Sequence, residues 1–268
     1  MKIEDVKVLI VRAPGTNCDY ETAQAFKDLG TRVEIVPIYR IFNRNVKILD
    51  YDILVFPGGF SYGDFIRAGA VLGKKLIAKI EKDIKEFIKD GRPILGICNG
   101  FQILVEAGLI PGIENVKIAL TTNLSLRYEC RWTILKFENN RSILSNYINI
   151  GEMLKIPIGH GEGRLIVSSE KDLKELIDNN LIVFRYVKPN GEYANGEYPW
   201  NPNGSIYDIA GLCNIYGNVI GMMPHPERAF YRWQFPDWTR DRGKIYIEVY
   251  GDGYKIIKGI IDYVCSKF

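Results

Sequence analysis

The stretch PILGICNGFQILVEA, residues 93–107, decides the fold. Pro93 to Ile97 reads as a short buried strand and Gly100 to Ala107 as a helix, joined directly at Gly96-Ile97-Cys98-Asn99-Gly100. A cysteine in so abrupt a strand-to-helix turn, with glycine two residues before and two after it, is a nucleophile elbow with sulfur in place of a serine oxygen. Small neighbours let the turn tighten. The helix behind it aims unpaired N–H groups and the positive end of its dipole at the sulfur, favouring thiolate over thiol. A cysteine buried merely for packing would not require the paired glycines.

Working outward from the elbow, the same alternation continues. Residues 6–12 (VKVLIVR) form an apolar β-branched run, followed by a Pro-Gly turn and a helix from Tyr20 to Leu29 that Gly30 stops. Arg32 to Pro37 and Ile53 to Phe56 are further strands, the latter ending at Pro57-Gly58-Gly59. From Leu72 to Lys89 apolar residues keep a helical period, with Lys75, Lys79, Lys82 and Lys89 on a solvated face. The second half is richer in strands, with candidates at Trp132–Phe137, Leu165–Ser168, Leu181–Val187, Ile206–Leu212 and Val219–Met223. Residues 189–204, PNGEYANGEYPWNPNG, are too long and turn-rich for a plain connection and read as a docking or functional loop or as a surface loop. No repeat or linker divides the chain. The expectation is an α/β fold, one domain over residues 1–268, with a mostly parallel central sheet flanked by helices.

Composition excludes more than it proposes. At 268 residues, 47% hydrophobic and 25% charged, the chain is an ordinary globular mixture that needs neither disulfides nor a structural metal for its core. A net charge of +3 gives no support to nucleic-acid binding. Its five cysteines (Cys18, Cys98, Cys130, Cys213, Cys265) include no CxxC pair, which removes zinc ribbons, and no metal site is expected. Glu4, Asp5 and Lys7 interrupt any signal core and no long apolar run exists, so a cytoplasmic protein without membrane contact is expected. Residues 69–75, GAVLGKK, fall one residue short of a P-loop and lack its Ser or Thr, so no ATP site of that type is present.

A thiolate nucleophile needs a proton carrier, and the chain has only His160 and His225. His225 lies in Met223-Pro224-His225-Pro226-Glu227, just past an apolar strand, where Glu227 can hold one ring nitrogen while the other faces the sulfur. Alone, His-x-Glu would be a surface turn; beside an elbow cysteine it completes a Cys98, His225, Glu227 triad. Gly58 and Gly59 also follow a parallel strand and so share the elbow's rim, where the Gly59 and Asn99 N–H groups would form an oxyanion hole. Cys18 sits on another strand-to-helix turn without flanking glycines, with Asn17 or Asp19 resembling a helix cap, and is expected near the rim but not as nucleophile.

Together, LGICNGFQIL (95–104), FPGGFSYGD (56–64) and MMPHPERA (222–229) resemble the class I, or triad, glutamine amidotransferases, whose fold is flavodoxin-like. More narrowly, GTNCDYET (15–22), Arg67-Ala68-Gly69, HGEGR (160–164), YPWNPNGS (198–205) and IAGLCN (209–214) resemble the phosphoribosylformylglycinamidine synthase branch of that family, its glutaminase subunit I. The similarity runs from about residue 6 to residue 230, leaving 231–268 as an extension packed on it. The resemblance implies hydrolysis of L-glutamine through a thioester on Cys98, with His225 as base and acid and Glu227 orienting it. Gln102 and Gly58 would bind substrate. Ammonia would pass to a synthetase subunit, which uses ATP and Mg to make formylglycinamidine ribonucleotide in purine biosynthesis, with a small third subunit completing the complex and no cofactor here. The alternatives are the glutaminase subunit of another amidotransferase or a cysteine hydrolase of the same α/β type. The latter usually carries His directly after the elbow cysteine, where this chain has Asn99. A silent regulatory subunit would not need the intact triad. Arginine and aromatic residues in 229–242 suggest a docking segment or cover for the subunit's own sheet.

Overall fold

The computed structural model describes residues 1–240 and 249–268. Eleven strands form among them: β1 (Lys7–Arg12), β2 (Arg32–Pro37), β3 (Ile53–Phe56), β4 (Ile94–Ile97), β5 (Ile118–Thr121), β6 (Glu129–Phe137), β7 (Met153–His160), β8 (Arg164–Val167), β9 (Ile182–Tyr186), β10 (Ile209–Cys213) and β11 (Val219–Met222). Nine of them build one sheet in the order β2-β1-β3-β4-β11-β10-β9-β6-β7, while β5 and β8 pair separately. The pairings from β2 to β11 are all parallel. Those from β11 to β7 are all antiparallel. Only β10 and β6 therefore run against the common direction, and the expected mostly parallel sheet is observed.

The inner strands β3, β4 and β11 are fully buried apolar runs because helices cover both faces. The helices are α1 (Asp19–Asp28), α2 (Ile38–Phe42), α3 (Ala70–Lys89), α4 (Asn99–Glu106), α5 (Glu170–Asp178) and α6 (Asp252–Lys267). Every residue of α4 is buried, so the elbow helix is held from all sides. The amphipathic α3 turns Leu72, Leu76, Ile80, Ile84 and Phe87 inward, as its spacing predicts.

Four parallel neighbours, β1, β3, β4 and β11, all end at one edge of the sheet and there release Cys18, Gly58, Cys98 and His225 respectively. This carboxyl edge is where open α/β sheets bind ligands, because the loops that follow the strands converge there.

The structure corrects the sequence reading in several places. Ile206–Asp208 is a 3₁₀ turn with Tyr207 at φ 54°, so the strand expected from Ile206 begins only at Ile209. Neither Asn17 nor Asp19 caps α1: Cys18 occupies the N-cap position, and the Asp19 carboxylate pairs with Arg12. The turn-rich loop is firmly built, for the Asp208 carboxylate accepts from Asn195 N, Gly196 N and Asn201 Nδ2 at 2.7–2.9 Å. In the aromatic segment, Phe230 and Phe235 are buried, Phe235 lying 4.7 Å from the Trp132 ring centre, so these two residues cover the subunit's own sheet. Trp233 stays half exposed, and Arg242 lies outside the described residues.

Candidate active site

Cys98 links β4 to α4 with φ 51° and ψ −105°, a conformation a non-glycine residue adopts only under compulsion, at a cost of about 1–3 kcal/mol. The compulsion comes from packing. A Cβ on Gly100 would stand 1.8 Å from the Phe56 carbonyl oxygen, and one on Gly96 would stand 2.5 Å from Leu104 Cδ1. Only glycine lets α4 press this closely on β3 and β4. The Cys98 N–H donates to the Met222 carbonyl at 2.7 Å, which anchors the turn to the strand that leads to His225.

His225 and Glu227 are 2% and 1% exposed, and Nδ1 of His225 lies 2.6 Å from Glu227 Oε1. The prolines on either side of His225 and a 2.8 Å bond from its N–H to the Pro157 carbonyl fix the turn. Nε2 has no hydrogen-bond partner among the described residues, which leaves it free for the nucleophile and its leaving group. Burial pulls the imidazole pKa down, but the Glu227 carboxylate and then the Cys98 sulfur more than reverse this, holding it well above its ordinary value. The protonated imidazolium is the state such a setting favours.

The structure brings the other expected residues to the same rim. The Gly59 N–H and the Asn99 N–H, the latter in the first turn of α4, make no backbone hydrogen bond among the described residues, as oxyanion donors require. Gly58 makes room for the histidine: a Cβ there would stand 2.7 Å from His225 Cε1. Its carbonyl also accepts from the N–H groups of Asn17 and Cys18, tying the β1 loop to the β3 loop. Gln102, 4% exposed, holds its amide between Asn99 Nδ2, which donates to Oε1 at 2.9 Å, and the Glu162 carbonyl.

Sequence reasoning missed three neighbours. Gly159, at the end of β7, offers its carbonyl to Cys98 Sγ at 3.6 Å. The Tyr128 phenol, raised by burial and by the Cys98 charge, sits where a Cβ on Gly159 would come within 2.9 Å. Arg228 donates from Nη2 to Cys18 Sγ at 3.0 Å. The motif HPER carries a signal for Arg228, but nothing local pairs it with a cysteine 210 residues earlier.

His160, the competing histidine, is 2% exposed and bonds through Nδ1 to Asn123 Oδ1 at 3.0 Å. Burial, and then the positive charge at His225, lower its pKa to about 3, so it stays neutral and is no proton carrier. Because this folded-state value lies below the unfolded value of about 6.5, the unfolded chain binds the extra proton between those limits. Stability contributed by the neutral ring is therefore complete above pH 6.5 and falls with acidification toward pH 3, by about 1.4 kcal/mol per pH unit. In urea titrations from pH 6.5 to 4, His160→Gln is expected to flatten this acid loss. Parallel wild-type and variant curves would refute the assignment.

An elbow cysteine, a histidine held by a carboxylate and two unclaimed N–H groups, all at the carboxyl edge of a parallel sheet, define a triad glutamine amidotransferase. Residues 5–264 match the family described as the CobB/CobQ-like glutamine amidotransferase domain. The phosphoribosylformylglycinamidine synthase subunit PurQ of Archaeoglobus fulgidus is 45% identical over 280 residues, covering 98% of this chain and 99% of that one. The PurQ subunit of Methanothrix thermoacetophila is 42% identical over 97% of this chain and 98% of its own. The solved PurLQS structure from Thermotoga maritima superposes with a TM-score of 0.72 at 34% identity, covering 97% and 99% of the two chains. The chain belongs to the phosphoribosylformylglycinamidine synthase subunit PurQ family. The matches extend past residue 230, so the similarity includes most of the carboxyl-terminal extension.

Proposed function

We infer that the chain is the glutaminase subunit of phosphoribosylformylglycinamidine synthase and supplies ammonia to purine biosynthesis. The observation that carries this is the buried pair of His225 and Glu227 beside the strained Cys98 elbow, in a chain alike along nearly its whole length to PurQ proteins.

The chemistry follows from the geometry. Cys98 Sγ attacks the side-chain carbonyl carbon of glutamine, and the negative charge moves to the carbonyl oxygen, facing the N–H groups of Gly59 and Asn99. Each such donor is worth about 3 kcal/mol in the transition state. The intermediate collapses as His225 passes its Nε2 proton to the departing nitrogen, which leaves as ammonia. A water then loses its proton to Nε2 and attacks the thioester carbonyl, releasing glutamate and restoring the sulfur. Glu227 keeps the ring oriented throughout and offsets its positive charge. Gln102 and the backbone around Gly58 are assigned to the substrate's amino acid end by the likeness to this family.

Apart from glutamine and one water, every group this cycle uses is a protein group, which supports a subunit needing no cofactor of its own. ATP and Mg belong on the synthetase subunit, and a small third subunit fits the three-letter assembly named for the Thermotoga structure. Among the described residues no helix is long and apolar enough to cross a membrane. Five free thiols, with Cys130 exposed, support a reducing compartment such as the cytoplasm.

Reconstitution tests this reading. With a synthetase partner, glutamine, ATP and formylglycinamide ribonucleotide, the chain is expected to drive amidine formation. Glutamine hydrolysis that never yields amidine would assign the chain to a different synthetase.

A further inference from the structure

Cys18 has no part in the cycle above, yet it lies inside the site. Its Sγ, a ring nitrogen of His225 and a carboxylate oxygen of Glu227 all fall within 4.8 Å of one another. An ion at the centre of such a triangle would be at most about 2.8 Å from each, so shifts below about 1 Å reach the 2.0–2.3 Å bonds zinc makes. All three residues are at least nine-tenths buried, and Glu227 Oε2 has no hydrogen-bond partner among the described residues. A Cβ built on Gly58 would lie 3.1 Å from Cys18 Sγ, 2.7 Å from His225 Cε1 and 3.4 Å from Nδ1, so the sulfur and this edge of the ring border one space. Glu227 Oε1 lies 2.6 Å from Nδ1, and an ion bound on that edge would leave Nε2 for Cys98.

We propose that Cys18 Sγ, His225 Nδ1 and Glu227 form an inhibitory site for a borderline-soft divalent cation of the zinc type. A thiolate, an imidazole and a carboxylate suit zinc and not magnesium or calcium. Binding releases two protons to solvent, one from the Cys18 thiol and one from Nδ1 of the imidazolium, and the bonds formed are from sulfur, nitrogen and carboxylate oxygen to the metal. The neutral metal-bound ring keeps a proton on Nε2 but is a far weaker acid than the imidazolium, so the departing nitrogen is not protonated and turnover stops. Three existing contacts must open: the 2.6 Å bond from Nδ1 to Glu227 Oε1, and the Arg228 guanidinium's contacts with Cys18 Sγ and, at 3.9 Å, with Glu227 Oε1. The Arg228 side chain is 40% exposed with Glu21 at 3.7 Å, so it can swing outward and admit the ion.

The test titrates glutamine hydrolysis by the full chain with buffered free zinc and uses cobalt(II) as an optical probe. Wild type is expected to be inhibited reversibly by zinc and to give a thiolate-to-cobalt charge-transfer band. Cys18→Ser is expected to raise the half-inhibiting zinc concentration by about 100-fold relative to its own uninhibited rate and to lose the band. Cys98→Ala, which cannot turn over, is expected to keep the band. A band that survives Cys18→Ser but vanishes in Cys98→Ala would place the ion on the nucleophile and overturn the proposal, as would zinc without effect on wild type. If Cys18→Ser does not fold, Cys18→Ala replaces it and the Cys98→Ala spectrum still decides.

Discussion

The Cys98→Ala enzyme, assembled with its synthetase, is expected to lose glutamine-driven synthesis by about 10⁶-fold while synthesis from added ammonia stays at the wild-type rate. The side chain is part of the buried core, and alanine keeps its Cβ and gives up only the sulfur. Cys98 is 4% exposed, and its one described side-chain hydrogen bond is the long 3.6 Å contact with the Gly159 carbonyl. What alanine removes is the sulfur that forms the thioester. The strain at φ 51° comes from the backbone and the glycines at 96 and 100, so the elbow and its assembly surface persist. Parallel rate measurements with glutamine and with ammonium salts check this, and loss of both at normal complex stability would give Cys98 a different role.

Glu227→Gln is expected to lower glutamine hydrolysis by about 10³- to 10⁴-fold, less than loss of the nucleophile. Glutamine matches glutamate in shape and can still occupy the 2.6 Å position beside Nδ1. It brings no negative charge, so the imidazolium loses the largest of the influences that raise its pKa. The ring should then titrate lower, and the alkaline limb of the pH–rate profile, where the imidazolium loses the proton it gives to the departing nitrogen, should move toward lower pH, a shift that simple loss of packing would not produce. An unchanged rate and an unchanged profile would remove Glu227 from the mechanism.

The legible part of the site is the part set by short stretches of chain. Gly96 to Gly100, Pro57 to Gly59 and Pro224 to Glu227 each end a buried apolar run, and each announces its turn through glycine or proline within five residues. The parallel half of the sheet was readable for the same reason. Met153–His160 was not: MLKIPIGH carries a proline, and it is a strand because β6 pairs with it from Glu129 to Lys136. That pairing, with the bond from the His225 N–H to the Pro157 carbonyl, places the Gly159 carbonyl near Cys98. Likewise, Ile118–Thr121 exists as a strand through β8, and helix α5 has only Leu173, Leu176 and Ile177 among charged residues to mark a face. Cys18 beside His225 is the clearest case. The two are 207 positions apart, and only the adjacency of the β1 and β3 loops, sealed by Asn17 and Cys18 donating to the Gly58 carbonyl, brings them together.

The central claim is that glutamine is opened by covalent attack from Cys98. The most direct measurement is peptide mass analysis of the Glu227→Gln chain, acid-quenched during slowed turnover with glutamine. The account predicts one γ-glutamyl group on the peptide containing Cys98, released by hydroxylamine as a thioester is. An unmodified Cys98 peptide, or the group found on Cys18 instead, would contradict it.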